Sequence, residues 1–211
     1  MKTLSAILTD ANATLDLEAT LPTGDELTLR TNYANQAVFD ASASIQLSEF
    51  KLEYLVGISN NITVSLPANF RELQEDPQLW DGTTWQPYPE IEVSEKYDIS
   101  TSDNYSYILG NPQGGYSLIL NNPLTNVTLS IIYQRYPSGF ATLTDRCELS
   151  DPTFVTRKIE SYVLYARGDD KFQIAEERAG ASLLNMAGRE SKGSGGQSQD
   201  TPMKFSNPLS S

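Results

Sequence analysis

Hydrophobic residues at helical spacing open the chain and predict two helices. The first covers residues 3–19, and the segment LPTG at 21–24 ends it. Thr23 or Asp25 can cap a second helix, which runs to about Leu47. The apolar side of this second helix is rich in alanine, so a neighbouring element can approach it closely. The two apolar stripes are Leu4, Leu8, Ala11 and Leu15, and then Leu27, Tyr33 or Arg30, Ala34, Ala37, Val38, Ala41 and Ile45.

After the second helix the pattern changes to the alternation of half-buried strands. Strands are predicted at 50–56 and 62–66, with the turn signal SNN at 59–61 between them. One short helical turn is predicted within 70–79. These segments begin a β-rich middle part of the chain.

A predicted hairpin and three more strands complete this middle part. The pair Asp81-Gly82 lies between Trp80 and Trp85, at the position that a tight hairpin turn favours. Residues 50–136 are therefore predicted to form a compact antiparallel β-sandwich or small barrel. The three further strands are predicted at 105–109, 116–120 and 127–133, separated by the turn signals NPQGG and NNP.

A helical hairpin is predicted over residues 151–187. Asp151 is a good N-cap, Pro152 suits the first helical position, and Gly168 separates the two helices. We expect six hydrophobic residues to pack this hairpin, and burial within the one chain is the favoured interpretation for most of them. These residues are Phe154, Ile159, Tyr162, Phe172, Leu183 and Met186.

The composition changes again after Ala187. Residues 188–200 are rich in glycine and polar residues, which predicts a flexible linker. The apolar end beyond it has two interpretations, a frayed tail or a tether that becomes ordered on a partner. In the second interpretation the contact residues are Met203, Lys204, Phe205, Pro208 and Leu209.

Together these elements predict an α+β fold. The N- and C-terminal helices are expected to form a bundle that flanks the central antiparallel β-sandwich or barrel, followed by the flexible C-terminal tail. Residues 1–187 are predicted to be a single domain, with helices in 1–48, the β-domain in 50–136 and the helical hairpin in 151–187. Residues 188–211 are predicted to be the linker and the docking tail.

The composition excludes many kinds of catalytic site. The 211 residues include no histidine and a single cysteine, Cys147, which removes Ser-His-Asp triads, His-ligated metals and an internal disulfide. We interpret Cys147 as a small, buried or half-buried hydrophobic residue. The formal net charge of −12 predicts repulsion from nucleic acid and anionic membranes. No apolar run is long enough to span a membrane, and the apolar N-terminal stretch is interrupted at 9–10, which argues against a secretion signal.

Two kinds of function are compatible with the residues that remain. Trp80, Trp85 and Tyr88 beside Asp81 could form a sugar-stacking platform on a β-sandwich, although aromatic residues that complete a core are the simpler interpretation. A glycosidase could work with two carboxylates alone, but no spacing marks out a pair among 27 acidic residues. No phosphate-binding loop is present, and residues 92–103 lack the spacing of a calcium loop.

Three local patterns, in this order, resemble one family. Residues 64–73, VSLPANFREL, are similar to a step after the first hairpin, and residues 118–123 with 129–137 are similar to a pair of strands. Residues 151–186, which include Arg167 and the segment FQIAE, are similar to a closing helical hairpin. These patterns, together with the predicted order of helix, long helix, β-domain, helical hairpin and flexible tail, resemble the head-to-tail adaptor (connector or neck) proteins of tailed bacteriophages, including those similar to tail tubular protein A. The resemblance covers about residues 4–190.

The resemblance implies a structural virion protein without catalysis, cofactor or metal. It implies a homo-oligomeric ring, usually of twelve copies, between the portal protein and a downstream tail or neck protein, assembled in the host cytoplasm. DNA would pass through the ring without specific binding, and no membrane is involved. It also suggests inter-subunit roles for hairpin residues and portal docking for the tail.

Overall fold

An α+β fold is confirmed, with four helices and one six-stranded antiparallel sheet in the described part of the chain. The structure is a computed structural model that describes residues 1–16, 18–100 and 103–194, with the side chains of 190–194 left out. The helices are α1 (Leu4–Leu15), α2 (Gly24–Ser44), α3 (Thr153–Ala166) and α4 (Phe172–Ser194). The strands are β1 (Lys51–Ser65), β2 (Phe70–Leu73), β3 (Gln78–Trp80), β4 (Trp85–Pro87), β5 (Ser106–Asn111) and β6 (Gly115–Arg135).

The helices share one hydrophobic core. Helix α3 contacts α1, α2 and α4, and the alanine face of α2 is fully buried at Ala34, Ala37 and Ala41. Both N-terminal helices are shorter than predicted. At the end of α2 the hydroxyls of Ser42 and Ser44 bond back to the carbonyls of the preceding turn, a pattern that weakens a helix.

Of the predicted boundary signals of the C-terminal helices, Gly168 is confirmed, whereas Pro152 is the N-cap of α3 instead of its first residue and Asp151 precedes the cap. The Asp151 carboxylate accepts the Thr153 N–H at 3.0 Å, and Gly168, with φ +69°, follows the end of α3. Helix α4 then continues to Ser194. It therefore covers residues 188–194, where the sequence predicts the beginning of the flexible linker.

The long strand β6 organises the sheet. Strand β1 pairs along one side of β6, whereas β2, β3 and β5 pair along its other side and β4 extends the sheet from β3. The second hydrophobic core lies on one face of these strands, around Leu118, Leu129 and Ile131. All six strands belong to a single sheet, so the closure into a sandwich or barrel stays a prediction. The arrangement of the helices as a bundle that flanks the sheet also stays a prediction.

Three expectations about the strands are wrong. The segment 70–79 contains β2 and β3 instead of a helical turn, because both strands pair with the free side of β6. The two strands predicted at 50–56 and 62–66 are one strand, β1, and those at 116–120 and 127–133 are also one strand, β6. The turn signals between them mark irregular pairing inside continuous strands.

Polar contacts join the helical core to the sheet. Arg135 at the end of β6 forms an ion pair with Glu148 at 2.8 Å, and its guanidinium lies 5.3 Å from the centre of the Phe50 ring. Arg71 on β2 donates to the carbonyl of Ser42 at the end of α2. These contacts fix the sheet to the end of α2 and to the loop before α3.

Candidate functional site

The six hairpin residues singled out from the sequence all make contacts within the chain. Phe154, Ile159 and Met186 are buried in the helical core, and Leu183 packs against it. The Tyr162 ring lies 5.3 Å from Tyr33, and its hydroxyl donates to the Asp40 carboxylate. Phe172 packs edge-on against Tyr165 at 5.2 Å. The packing role is confirmed, and the inter-subunit role stays a prediction.

Other hydrophobic residues of the hairpin point to solvent. Tyr165 is 70% exposed, Ile174 is 51% exposed and Leu184 is 72% exposed. Ile174 and Leu184 lie on α4 together with the exposed small residues Ala181 and Gly188. This surface was not predicted, although its residues fall outside the stripe that packs the core and could have been found from that spacing.

A buried arginine joins the ends of three helices. Arg30 on α2 is only 1% exposed, and its guanidinium donates to Glu26, to Asn12 at 2.6 Å and to Asp16 at 2.8 Å. Arg167 after α3 donates to the other Asp16 oxygen at 2.9 Å. The hydrogen bonds from Arg167 and Arg30 hold the pKa of the Asp16 carboxyl below its usual value.

A polar groove lies between α1 and the helical hairpin. Two neighbouring cavities of about 260 and 330 Å³ share Thr14, Glu160 and Arg178 as lining residues. Burial raises the pKa of Glu160, while Thr14, Arg157 and Arg178 oppose that shift. Because Arg157 and Arg178 lie near this carboxylate, we interpret Glu160 as a buried charge that the two arginines compensate.

The predicted tryptophan hairpin is confirmed. Trp80 pairs with Trp85 across β3 and β4, with the ring centres 5.4 Å apart and the planes tilted by 44°. Asp81 accepts the N–H groups of Thr84 and Thr83, and these bonds lower the pKa of its carboxyl. Asp81 therefore stabilises the turn itself.

Tyr88 does not belong to an exposed aromatic platform. Its side chain is 1% exposed, and its hydroxyl donates to Asn121 at 2.7 Å. Trp85, in contrast, is 47% exposed. The three-residue sugar platform expected from the sequence is thus reduced to the two tilted tryptophans.

The expectation for Cys147 is confirmed. The side chain is buried, and burial raises the pKa of its thiol to about 11, so the thiol stays protonated at neutral pH. Within the described ranges, no group of three or more acidic or cysteine side chains is placed to hold a metal ion. The predicted docking residues Met203, Lys204, Phe205, Pro208 and Leu209 lie outside the described residues.

Charged residues are distributed unevenly around the sheet. The segments 54–70 and 104–134 contain no acidic or basic residue, in a chain with 27 acidic and 15 basic residues. Together they supply most of β1, all of β5 and nearly all of β6. We call the surface of these two segments the uncharged lobe.

Comparison with known proteins adds no identification. No family model matches the chain, and no curated protein matches it. No helix among the residues with described structure is long and apolar enough to cross a membrane.

Proposed function

We propose that the protein is a head-to-tail adaptor subunit of a tailed bacteriophage, a structural virion protein whose copies form a ring, dodecameric as in the resembling family. The observation that carries this proposal is the order of elements. Two helices, a sheet and a helical hairpin follow one another in the order that the resemblance implies. The ring would join the portal protein to a downstream tail or neck protein.

The surface of the hairpin supports a docking role. Tyr165, Ile174 and Leu184 expose hydrophobic side chains on a part of the chain that is nearly neutral, because residues 152–211 contain 7 acids and 8 bases. Interfaces are depleted of charge at their centre and enriched in aromatic residues. In this proposal the helices form a bundle that faces the portal and the sheet closes into a sandwich or barrel.

The acidic part of the chain suits a DNA passage. Residues 1–151 contain 20 acids and 7 bases, so their formal charge is −13. A wall of like charge does not hold passing DNA. The ring would therefore line the passage without specific binding to DNA.

Co-sedimentation with the portal ring of the same phage tests the proposal. We expect the full chain to bind in near-equimolar amount and the double variant Phe205→Ala, Leu209→Ala to bind more weakly, because the apolar end of the tail makes the contact. The melting temperature should be nearly unchanged. The matched control is Ser206→Ala, Ser210→Ala, and a chain ending at Ser194 removes the tail while leaving α4 intact.

Each outcome has a distinct meaning. Binding that survives truncation keeps the adaptor and moves the contact to the helices. Absence of binding by the full chain contradicts the proposal. A large fall in melting temperature for the double variant would show instead that the tail packs on its own chain.

A carbohydrate-binding module is the second candidate, and the exposure of Trp85 favours it. An aromatic ring with an open face can stack on a sugar. Titration with a panel of oligosaccharides, followed by tryptophan fluorescence, tests it. A response that disappears in Trp85→Ala would support this candidate, and flat titrations would dismiss it.

A further inference from the structure

At the end of the sheet that contains the hairpin between β5 and β6, which we call the far half, the sheet has three strands and two different outer edges. Residues 63–65 of β1 pair with 117–119 of β6, and β5 pairs with 115–120 on the other side. Strand β1 has no other neighbour in the sheet of the described chain. In the described part of the chain, the outer side of β5 is bonded at Ser106, by the segment 89–91.

The directions of the hydrogen bonds show which main-chain groups lie on these edges. The Leu66 N–H donates to Tyr116, so the alternation along β1 turns the N–H groups of Thr63 and Ser65 away from β6. The Ser106 N–H donates outward to Pro89, so the N–H of Ile108 also points away from β6. Each edge therefore offers main-chain groups to an additional strand.

Both edges lack the usual protection against pairing. Natural edge strands are commonly guarded by charged side chains, which oppose contact with another strand. Residues 62–65 and 106–111 belong to the uncharged lobe, and Lys96 lies over the Tyr107 ring, with its Nζ 5.5 Å from the ring centre. The irregular pairing of β1 at 58–63 leaves residues 63–65 as its regular far end.

Charge identifies the occupant of these edges. Two copies of a chain with a net charge of −12 repel each other, and the repulsion is smallest where uncharged surfaces meet. We propose that the open edge of β1 at 63–65 pairs with the open edge of β5 at 107–109 in a second copy of this chain. This proposal rests on the proposed function, which supplies the ring, and it names the contact between neighbouring copies.

The geometry fixes the orientation of this contact. Strands β1 and β5 are both antiparallel to β6, so they run parallel to each other, and copies related by a ring rotation meet in parallel pairing. The contact joins two different edges and is therefore head-to-tail, as a ring requires. A groove of about 240 Å³ along β1, lined by Tyr54, Val56, Ile58 and Val64, can receive the exposed Leu109 side chain.

Cross-linking between variants that each carry one added cysteine tests the head-to-tail pairing. One full-length variant carries Thr63→Cys and a second carries Leu109→Cys, while the native Cys147 is buried and serves as the background. We expect a short bis-maleimide to link the mixture of the two variants strongly and each variant alone weakly. Links within a single variant that are as strong as those in the mixture, or no links in the mixture, overturn the proposal.

Proline substitution tests the main-chain contact. Thr63→Pro removes an outward N–H without removing a bond to β6, and Thr63→Val keeps that N–H. Sedimentation should show self-association weakened about tenfold by Thr63→Pro and unchanged by Thr63→Val, with similar melting temperatures. Association of Thr63→Pro equal to that of the natural chain, or a natural chain that stays monomeric at every soluble concentration, overturns the proposal.

The same variants separate this proposal from the adaptor function. If Thr63→Pro self-associates normally and the chain binds the portal ring, the edge pairing fails and the adaptor function stands. If the edges pair and the chain does not bind the portal ring, the adaptor function fails and the contact between copies stands.

Discussion

Arg30 shows what the sequence could and could not predict about a single residue. Its spacing put it on the apolar stripe as an alternative to Tyr33, and it is indeed buried. Its partners Asn12 and Asp16 were not predictable, because they lie near the end of another helix. Arg167, the second arginine that donates to Asp16, is 151 residues away from Asp16 along the chain.

Asp16→Asn is expected to make the protein less stable at neutral pH and less sensitive to acid. The folded-state pKa of Asp16 is lowered by Arg167 and Arg30, so its ionised form stabilises the fold. That contribution is present above the ordinary value of 3.8 and is lost as the pH falls through the folded-state pKa. Urea unfolding at several pH values measures the difference between the two proteins.

The control for this prediction is Asp98→Asn, a change at an exposed carboxylate. It should leave the unfolding free energy within about 0.5 kcal/mol of the natural value. A difference between Asp16→Asn and the natural protein that persists unchanged to the lowest pH would contradict the assigned role of the Asp16 charge.

The strands show why element type was easier to predict than element length. The signals at 59–61 and 121–123 correctly mark irregular parts of the strands, since Asn60 has a φ of 54° and residues 121–123 lie where the pairing between β1 and β6 is interrupted. They were wrong as strand ends, because the irregular parts of β1 and β6 lie opposite each other and pairing resumes beyond them. Strands as short as β3, with three residues, give no periodicity and depend on pairing with β6.

Gly110→Ala is expected to destabilise the β5–β6 hairpin. Gly110 has φ +131°, and a Cβ there would collide with the main chain of Gly115 and Tyr116. We expect a loss of about 2–4 kcal/mol in unfolding free energy, measured by urea denaturation. Gly57→Ala on β1 is the matched control, because its Cβ would meet open space. An equal effect of the two changes would contradict this account.

At the scale of the whole molecule, the residues that the structure describes form two hydrophobic cores, which polar contacts join. The helical core and the sheet core share no buried residue, and Arg135 bridges them through Glu148 and Phe50. The fold class was predictable because each half has its own periodicity. The connection between the two cores was not predictable, because single polar contacts between distant segments leave no pattern in the sequence.

Arg135→Ala is expected to separate the unfolding of the two cores. Both tryptophans lie on the sheet, so their fluorescence reports the sheet, whereas far-UV circular dichroism is dominated by the helices. The two midpoints should coincide in the natural protein and differ by about 5 °C in the variant. The control Lys51→Ala breaks an exposed ion pair with Glu75 within the sheet, and its midpoints should still coincide. Coincident midpoints in Arg135→Ala would show that other contacts couple the cores.

The uncharged lobe also affects how the protein is cut. Trypsin cleaves after lysine and arginine, and the sequence has neither between Lys96 and Arg135. Strands β5 and β6 lie within this interval, so complete digestion releases almost all of both strands in one long peptide. Partial digestion of the native protein therefore monitors opening of the helices and of the first half of the sheet, while β5, which carries one open edge, and its partner β6 remain a single fragment.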